Sequence, residues 1–201
     1  MPKYYLDIET LGLEPSTDKI VTIQYAEIDY LTGSQKSELT ILKEWETSEQ
    51  DILEKFLEFM NNIKGFPVFM GFNLNFEAKF FLERGKLYYM YIDLFEHASV
   101  DLRVIAILNN KGKLKGSSLG SLVNKPSGKH TKEYYDAGEF DKLLNYVNDE
   151  SDRIIEFHRL LLKEIPIMYE GKIKDHFFWF KNSSITSIIL YSISLKITRL
   201  L

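Results

Sequence analysis

The sequence predicts an α/β chain, a mixed sheet flanked by helices. Three observations predict it. Strand-like runs follow one another at residues 3–9, 19–29 and 39–42. Two stretches, 47–63 and 140–164, carry apolar residues at helical spacing. A short apolar run at 68–71 stands between helical segments, as a buried strand does.

Lys3 to Glu9 reads as the first strand. Lys19 to Asp29 is the second, with Ile20, Val21, Ile23, Tyr25, Ala26 and Ile28 as its apolar residues. Leu31-Thr32-Gly33-Ser34 is a turn, since glycine supplies the positive φ a tight hairpin needs. Leu39 to Leu42 returns as a third strand, so the first three form a meander. Helical spacing of Ile52, Phe56, Phe59 and Met60 follows, with Ser48 as N-cap and Gly65-Phe66-Pro67 as the stop. After the strand Val68–Gly71, Asn75 to Arg84 is a helix with Phe76, Phe80 and Phe81 on one face and Gly85 ending it. Short helices are expected at 101–108 and 117–123, and a looser stretch at 124–136. The long helix 140–164 ends at Ile165-Pro166. The expected division is a domain over 1–165 and an appendage over 166–201, a strand or helix packed on the domain or on a second copy.

Composition excludes several classes. The 201 residues suit one domain. Their 45% hydrophobic content is enough for a core. Cysteine is absent, so there is no disulfide, thiolate zinc site or Cys nucleophile, and a cytoplasmic protein is expected. The first residues do not read as a signal peptide, because Asp7 and Glu9 interrupt them. No membrane partner is expected, since the uncharged part of the tail, 182–194, is too short to span a bilayer. The net charge of −4 is not that of a strongly basic nucleic-acid binder. An acidic chain still binds a phosphate backbone through a metal or a local lysine patch. Lys111, Lys113 and Lys115 are the one dense basic cluster, followed by Lys125, Lys129 and Lys132. They suit either a backbone-tracking surface or a solvated loop.

Chemistry is concentrated at Asp7 and Glu9. In a strand, residues i and i+2 point to one side, so the two carboxylates project together. Paired buried anions repel unless a cation joins them, and Mg²⁺ or Mn²⁺ is the natural guest for hard oxygen ligands. A second acidic position follows in Gly71-Phe72-Asn73-Leu74-Asn75-Phe76-Glu77, which also suits a helix N-terminus with Asn73 as cap. Within the long helix, Asp149, Glu150 and Asp152 compete for one role. The apolar face set by Leu143, Val147, Ile154, Phe157 and Leu161 places Tyr146 and Glu150 beside it, one turn apart. Asp152 replaces Glu150 if Asn148 caps a new helix and breaks the phase. His97, His130, His158 and His176 lack metal-ligand spacing, and His158 reads as a satisfied core histidine.

The run Asp7-Ile8-Glu9-Thr10-Leu11-Gly12-Leu13-Glu14-Pro15 resembles the first motif of the DEDD 3′–5′ exonuclease superfamily, whose members have a ribonuclease H-like fold. Asn73, Phe76 and Glu77 resemble its second motif, and Tyr146 with Glu150 its last, of the tyrosine-containing type. Asp101 falls on a further, supporting acid of the family. The resemblance spans residues 3–162. It implies hydrolysis at the 3′ end of single-stranded DNA or RNA with two Mg²⁺ or Mn²⁺ ions. It implies Asp7 bridging both ions, Glu9 and Glu150 on one, Glu77 orienting the other through water, and Tyr146 beside the attacking water. Thr10, Leu11, Asn73 and Phe76 would meet the substrate, with Lys111, Lys113 and Lys115 along its backbone. Glu77 and Glu150 stand where the family has Asp. The extra methylene leaves open a weakly active or inactive module that binds nucleic acid or a partner, with the tail as a docking element or homo-oligomer contact.

Overall fold

The computed structural model describes residues 1–123 and 130–162, and the backbone of two short strands beyond them. Five strands form one sheet in the order β3-β2-β1-β4-β5. β1 (Lys3–Thr10), β2 (Ile20–Ile28) and β3 (Thr40–Lys43) are the expected antiparallel meander. Gly33 turns β2 back at φ 71°. β4 (Val68–Gly71) adds parallel to β1, and β5 (Ala98–Asp101) parallel to β4. β1 therefore lies at the centre of the sheet.

Strand parity sorts the core. Leu6 and Ile8 face one side, where they join Ile52 and Phe56 of α1 (Glu49–Asn62) and Phe80 and Phe81 of α2 (Leu74–Leu87). Tyr5 faces the other, with Leu102 and Ala106 of α3 (Leu102–Asn109), Leu119 of α4 (Leu119–Val123) and Ile154 and Phe157 of α6 (Phe140–Leu162). Helices so cover both faces of the sheet. Ser48 caps α1 as expected, its hydroxyl accepting from the Asp51 amide.

Three elements depart from expectation. Residues 98–101, too short for a periodicity signal, form edge strand β5, and the helix begins only after Asp101, its N-cap. His130–Asp136, expected as loose chain, is helix α5. α2 runs through Gly85 to Leu87 instead of stopping there. Gly85 serves close packing: a Cβ on it would lie 2.8 Å from the Met90 carbonyl oxygen. Gly85→Ala is therefore expected to cost about 1–2 kcal/mol. Overpacking of roughly 1–3 kcal/mol outweighs the gain of up to about 1 kcal/mol in helix propensity. Urea unfolding measures it, and a stabilised variant would refute the packing argument.

Beyond α6, β6 (Ile167–Tyr169) and β7 (Lys172–Lys174) pair antiparallel. Lys125, Lys129, His176 and the rest of the 166–201 segment lie outside the described residues. Among the described residues no helix is long and apolar enough to cross a membrane.

Candidate active site

The site is built at the end of β1, on the face that packs against α6. Asp7 and Glu9 share Tyr5's parity and are buried, at 6% and 8% exposure. The β1–β2 register sets Gln24 opposite Asp7. Gln24 Nε2 donates to Asp7 Oδ2 at 3.3 Å, and the Tyr5 hydroxyl donates to the same oxygen at 3.2 Å. Thr22 in turn donates to Gln24 at 3.0 Å, and Ser151 of α6 to the Tyr5 oxygen at 3.0 Å. Burial, then the charges of Asp7 and Glu150, pushes the Tyr5 hydroxyl well above its ordinary pKa, so it stays a donor.

Glu150 arrives from α6, buried beside Ser151. One carboxylate oxygen each from Asp7, Glu9 and Glu150 lies within 4.8 Å of the others. α6 is unbroken across Asn148, whose side chain donates back to the Leu144 carbonyl, so no new cap resets the helical phase. Asp152 is accordingly exposed, and exposed Asp149 pairs with Arg153 at 2.8 Å. The geometry brings Glu150, and not Asp149 or Asp152, to Asp7 and Glu9. Tyr146 lies one turn before Glu150. Burial, followed by the charges of Glu9 and Glu150, raises its hydroxyl far above the ordinary tyrosine pKa.

Glu77 comes from the opposite layer. It sits in the first turn of α2, which starts at the end of β4, and it is 3% exposed. Burial first, then the charge of Asp7, holds its carboxyl well above the usual carboxylate range. Its Oε2 is buried with no hydrogen-bond partner among the described residues. Asp101 supports this turn: its Oδ1 accepts from the Asn73 and Arg103 amides, each at 2.9 Å. Asn73 makes no side-chain cap, contrary to expectation. It adopts φ 75° and its Oδ1 accepts from Arg103 Nη1 at 2.7 Å, leaving Asp101 to take its amide.

The other expected residues are placed as follows. Thr10 is half-buried, its hydroxyl donating to the Gly12 carbonyl at 2.6 Å, and the Leu11 amide bonds the Lys19 carbonyl. This closes the turn after β1, where a Cβ on Gly12 would collide with the Asp18 carboxylate. Phe76 is half-buried and packs against Phe80 at 4.7 Å between ring centres. Lys111, Lys113 and Lys115 are exposed on the loop beyond α3, which Asn110 closes through the Lys113 and Lys115 carbonyls. That loop follows the far end of α3, about 12 Å along the helix from Asp101. Lys132 is exposed on α5 and pairs with Asp136 at 3.2 Å. His158 is buried, but it is a satisfied core histidine only in part. Its Nε2 meets Lys3 Nζ at 3.4 Å, and its Nδ1 has no partner among the described residues.

Sequence reasoning missed Tyr5, Gln24, Ser151 and Thr131. Tyr5 carried a signal, the same period-two parity as Asp7. The others depend on sheet register or on the packing of α5 and α6.

A mixed five-stranded sheet flanked by helices thus carries acids gathered at the end of its central strand. The family model of the RNase_H superfamily matches residues 4–156, and the chain belongs to that superfamily. Among solved structures it is similar to E. coli exonuclease I. In complex with a dT13 oligonucleotide the TM-score is 0.53 at 12% identity, covering 80% of this chain and 40% of that one. In the zinc-bound complex with single-stranded DNA the TM-score is 0.54 at 12% identity, covering 81% and 40%. This chain thus spans about two fifths of those structures' length, and the likeness is one of fold. A comparison with curated proteins finds no match.

Proposed function

We propose that this chain is a divalent-metal-dependent 3′–5′ exonuclease of single-stranded nucleic acid. The observation that carries it is the convergence of Asp7, Glu9 and Glu150, with oxygens within 4.8 Å in a buried setting. Three carboxylates converging inside a protein are costly without a cation. The all-oxygen donor set suits Mg²⁺ or Mn²⁺. The unpartnered Oε2 of Glu77 adds a fourth acid beside Asp7.

On this reading Asp7, Glu9 and Glu150 would hold two ions, and Glu77 would support the second. Bound ions of this kind acidify a water and offset charge on the leaving 3′ oxygen. Tyr146, kept protonated by its surroundings, would donate a hydrogen bond to orient the attacking water. Thr10 and Leu11, on the turn that closes the site, meet the terminal nucleotide. Asn73 and Phe76 line its approach, and Lys111, Lys113 and Lys115 meet the strand further from the site. The E. coli exonuclease I complexes with oligonucleotides support the substrate class, and the shared fold supports the chemistry. Glutamates at positions 77 and 150, where the resembled family has aspartate, favour one second reading, a weakly active module that binds nucleic acid.

The test is digestion of 3′-labelled and 5′-labelled single strands of DNA and RNA, with Mg²⁺, Mn²⁺ or EDTA. The expected result is shortening from the 3′ end that EDTA abolishes. Retention of the strands without cleavage under either metal would favour the binding module instead.

A further inference from the structure

We propose that Thr131 is a positioning residue for Glu9, fixing the orientation in which that carboxylate meets a divalent ion. The inference rests on the metal-dependent reading above and goes beyond it, because Thr131 lies in none of the acidic motifs.

Thr131 is 2% exposed, and its hydroxyl donates to Glu9 Oε2 at 2.6 Å across 122 residues of sequence. That length is typical of a strong O–H···O⁻ bond. It comes from α5, which packs on both β1 and α6. The helix is clamped at its other end as well. The Tyr135 hydroxyl donates to Glu44 and accepts from Lys19 Nζ at 2.9 Å. Its ring meets Phe140 edge-on at 5.9 Å, and Phe140 stacks on Trp45 at 4.7 Å. Thr131 is therefore held at a fixed point above the end of β1.

A glutamate has one more rotatable bond than an aspartate, so fixing its carboxylate costs more entropy. A hydroxyl locked onto Oε2 sets the rotation of the carboxylate plane before any ion arrives. Such outer contacts tune ligand geometry, and their loss typically weakens metal binding 10–100-fold. In the purely structural alternative, Thr131 only satisfies a buried acid, and its loss would lower stability without changing metal affinity.

Mn²⁺ titration of the metal-free full chain, followed by isothermal calorimetry and by the EPR signal of free Mn²⁺, separates the two. Thr131→Val keeps the shape and removes the donor; Thr131→Ser keeps the donor. Mn²⁺ binding about tenfold weaker in the valine variant, and near wild type in the serine variant, is the expected result. If the valine variant does not fold, Thr131→Ala makes the same comparison against serine. Equal or tighter Mn²⁺ binding by the folded donor-free variant overturns the role of Thr131 and leaves the nuclease reading standing. A wild-type chain that binds no Mn²⁺ overturns both.

Discussion

Asp7→Asn is expected to slow 3′-end hydrolysis by about 10³-fold or more, and to raise the thermal midpoint of the metal-free protein. The reasons are linked. Asp7 is linked to each of the other acids: Glu9 and Glu150 converge with it, and its charge acts on Glu77. Bound ions supply several kcal/mol of charge stabilisation, and each 1.36 kcal/mol lost is a factor of ten in rate. The amide is isosteric. Its oxygen can still accept from Tyr5 and Gln24, so the strand and its neighbours stay in place. What disappears is a buried negative charge among others, which favours the folded chain when no cation is bound. Function and stability thus move in opposite directions, as at sites built with stored repulsion. The paired measurement is a hydrolysis rate with Mn²⁺ and a melting curve in EDTA. Activity within tenfold of wild type would remove Asp7 from the chemistry.

In EDTA the wild-type thermal midpoint is expected to fall as pH rises above about 6.5. The sign follows from proton binding. The Glu77 carboxyl is raised in the fold by burial and then by Asp7, whereas in the unfolded chain it titrates near about 4.3. Above that pH the folded state keeps a proton that the unfolded state has released. Each pH unit then costs up to about 1.4 kcal/mol of stability. His158 works against this at lower pH. Burial, then Lys3, drops its pKa to about 3, so its contribution to stability is lost as pH falls below its ordinary 6.5. Between about 4.3 and 6.5 the two slopes offset one another. Above 6.5 that of Glu77 remains. Lys3, lowered to about 8 by burial, opposes it again from there upward. Glu77→Gln is expected to flatten the fall, and Mn²⁺ to restore the wild-type midpoint at neutral pH. A wild-type curve in EDTA that is level from pH 6.5 to 8 would mean that Glu77 ionises freely in the fold.

Local signals carried much of the site. Asp7 and Glu9 were legible because strand parity is set by the alternation of successive extended residues, and β1 obeys it. Glu150 was legible because helical phase along Leu143, Val147 and Ile154 is equally local, and α6 runs unbroken through it. Glu77 was readable as an acid in a helix's first turn. Its grouping with Asp7 came from the family resemblance and not from any local period, since α2 packs on the opposite face of the sheet from α6. The four residues 98–101 were too few to show a period, and pairing with β4 alone makes them a strand. Asn73 had the composition of a helix cap. The Asp101 carboxylate, accepting its amide, and the Arg103 guanidinium, donating to its side-chain oxygen, drew its backbone and side chain elsewhere.

The sequence by itself determined the meander, the two long helices and the direction in which the acids of β1 and α6 point. Those follow from periods of two and 3.6 residues, which need no knowledge of distant chain. The resemblance named the acids that would converge; only the tertiary structure decided which side chains hold them. Gln24 reaches Asp7 through sheet register, Ser151 through α6 packing, and Thr131 reaches Glu9 from a short helix 122 residues away. Contacts between residues so far apart in the chain exist only once the layers have packed, and no local period records them.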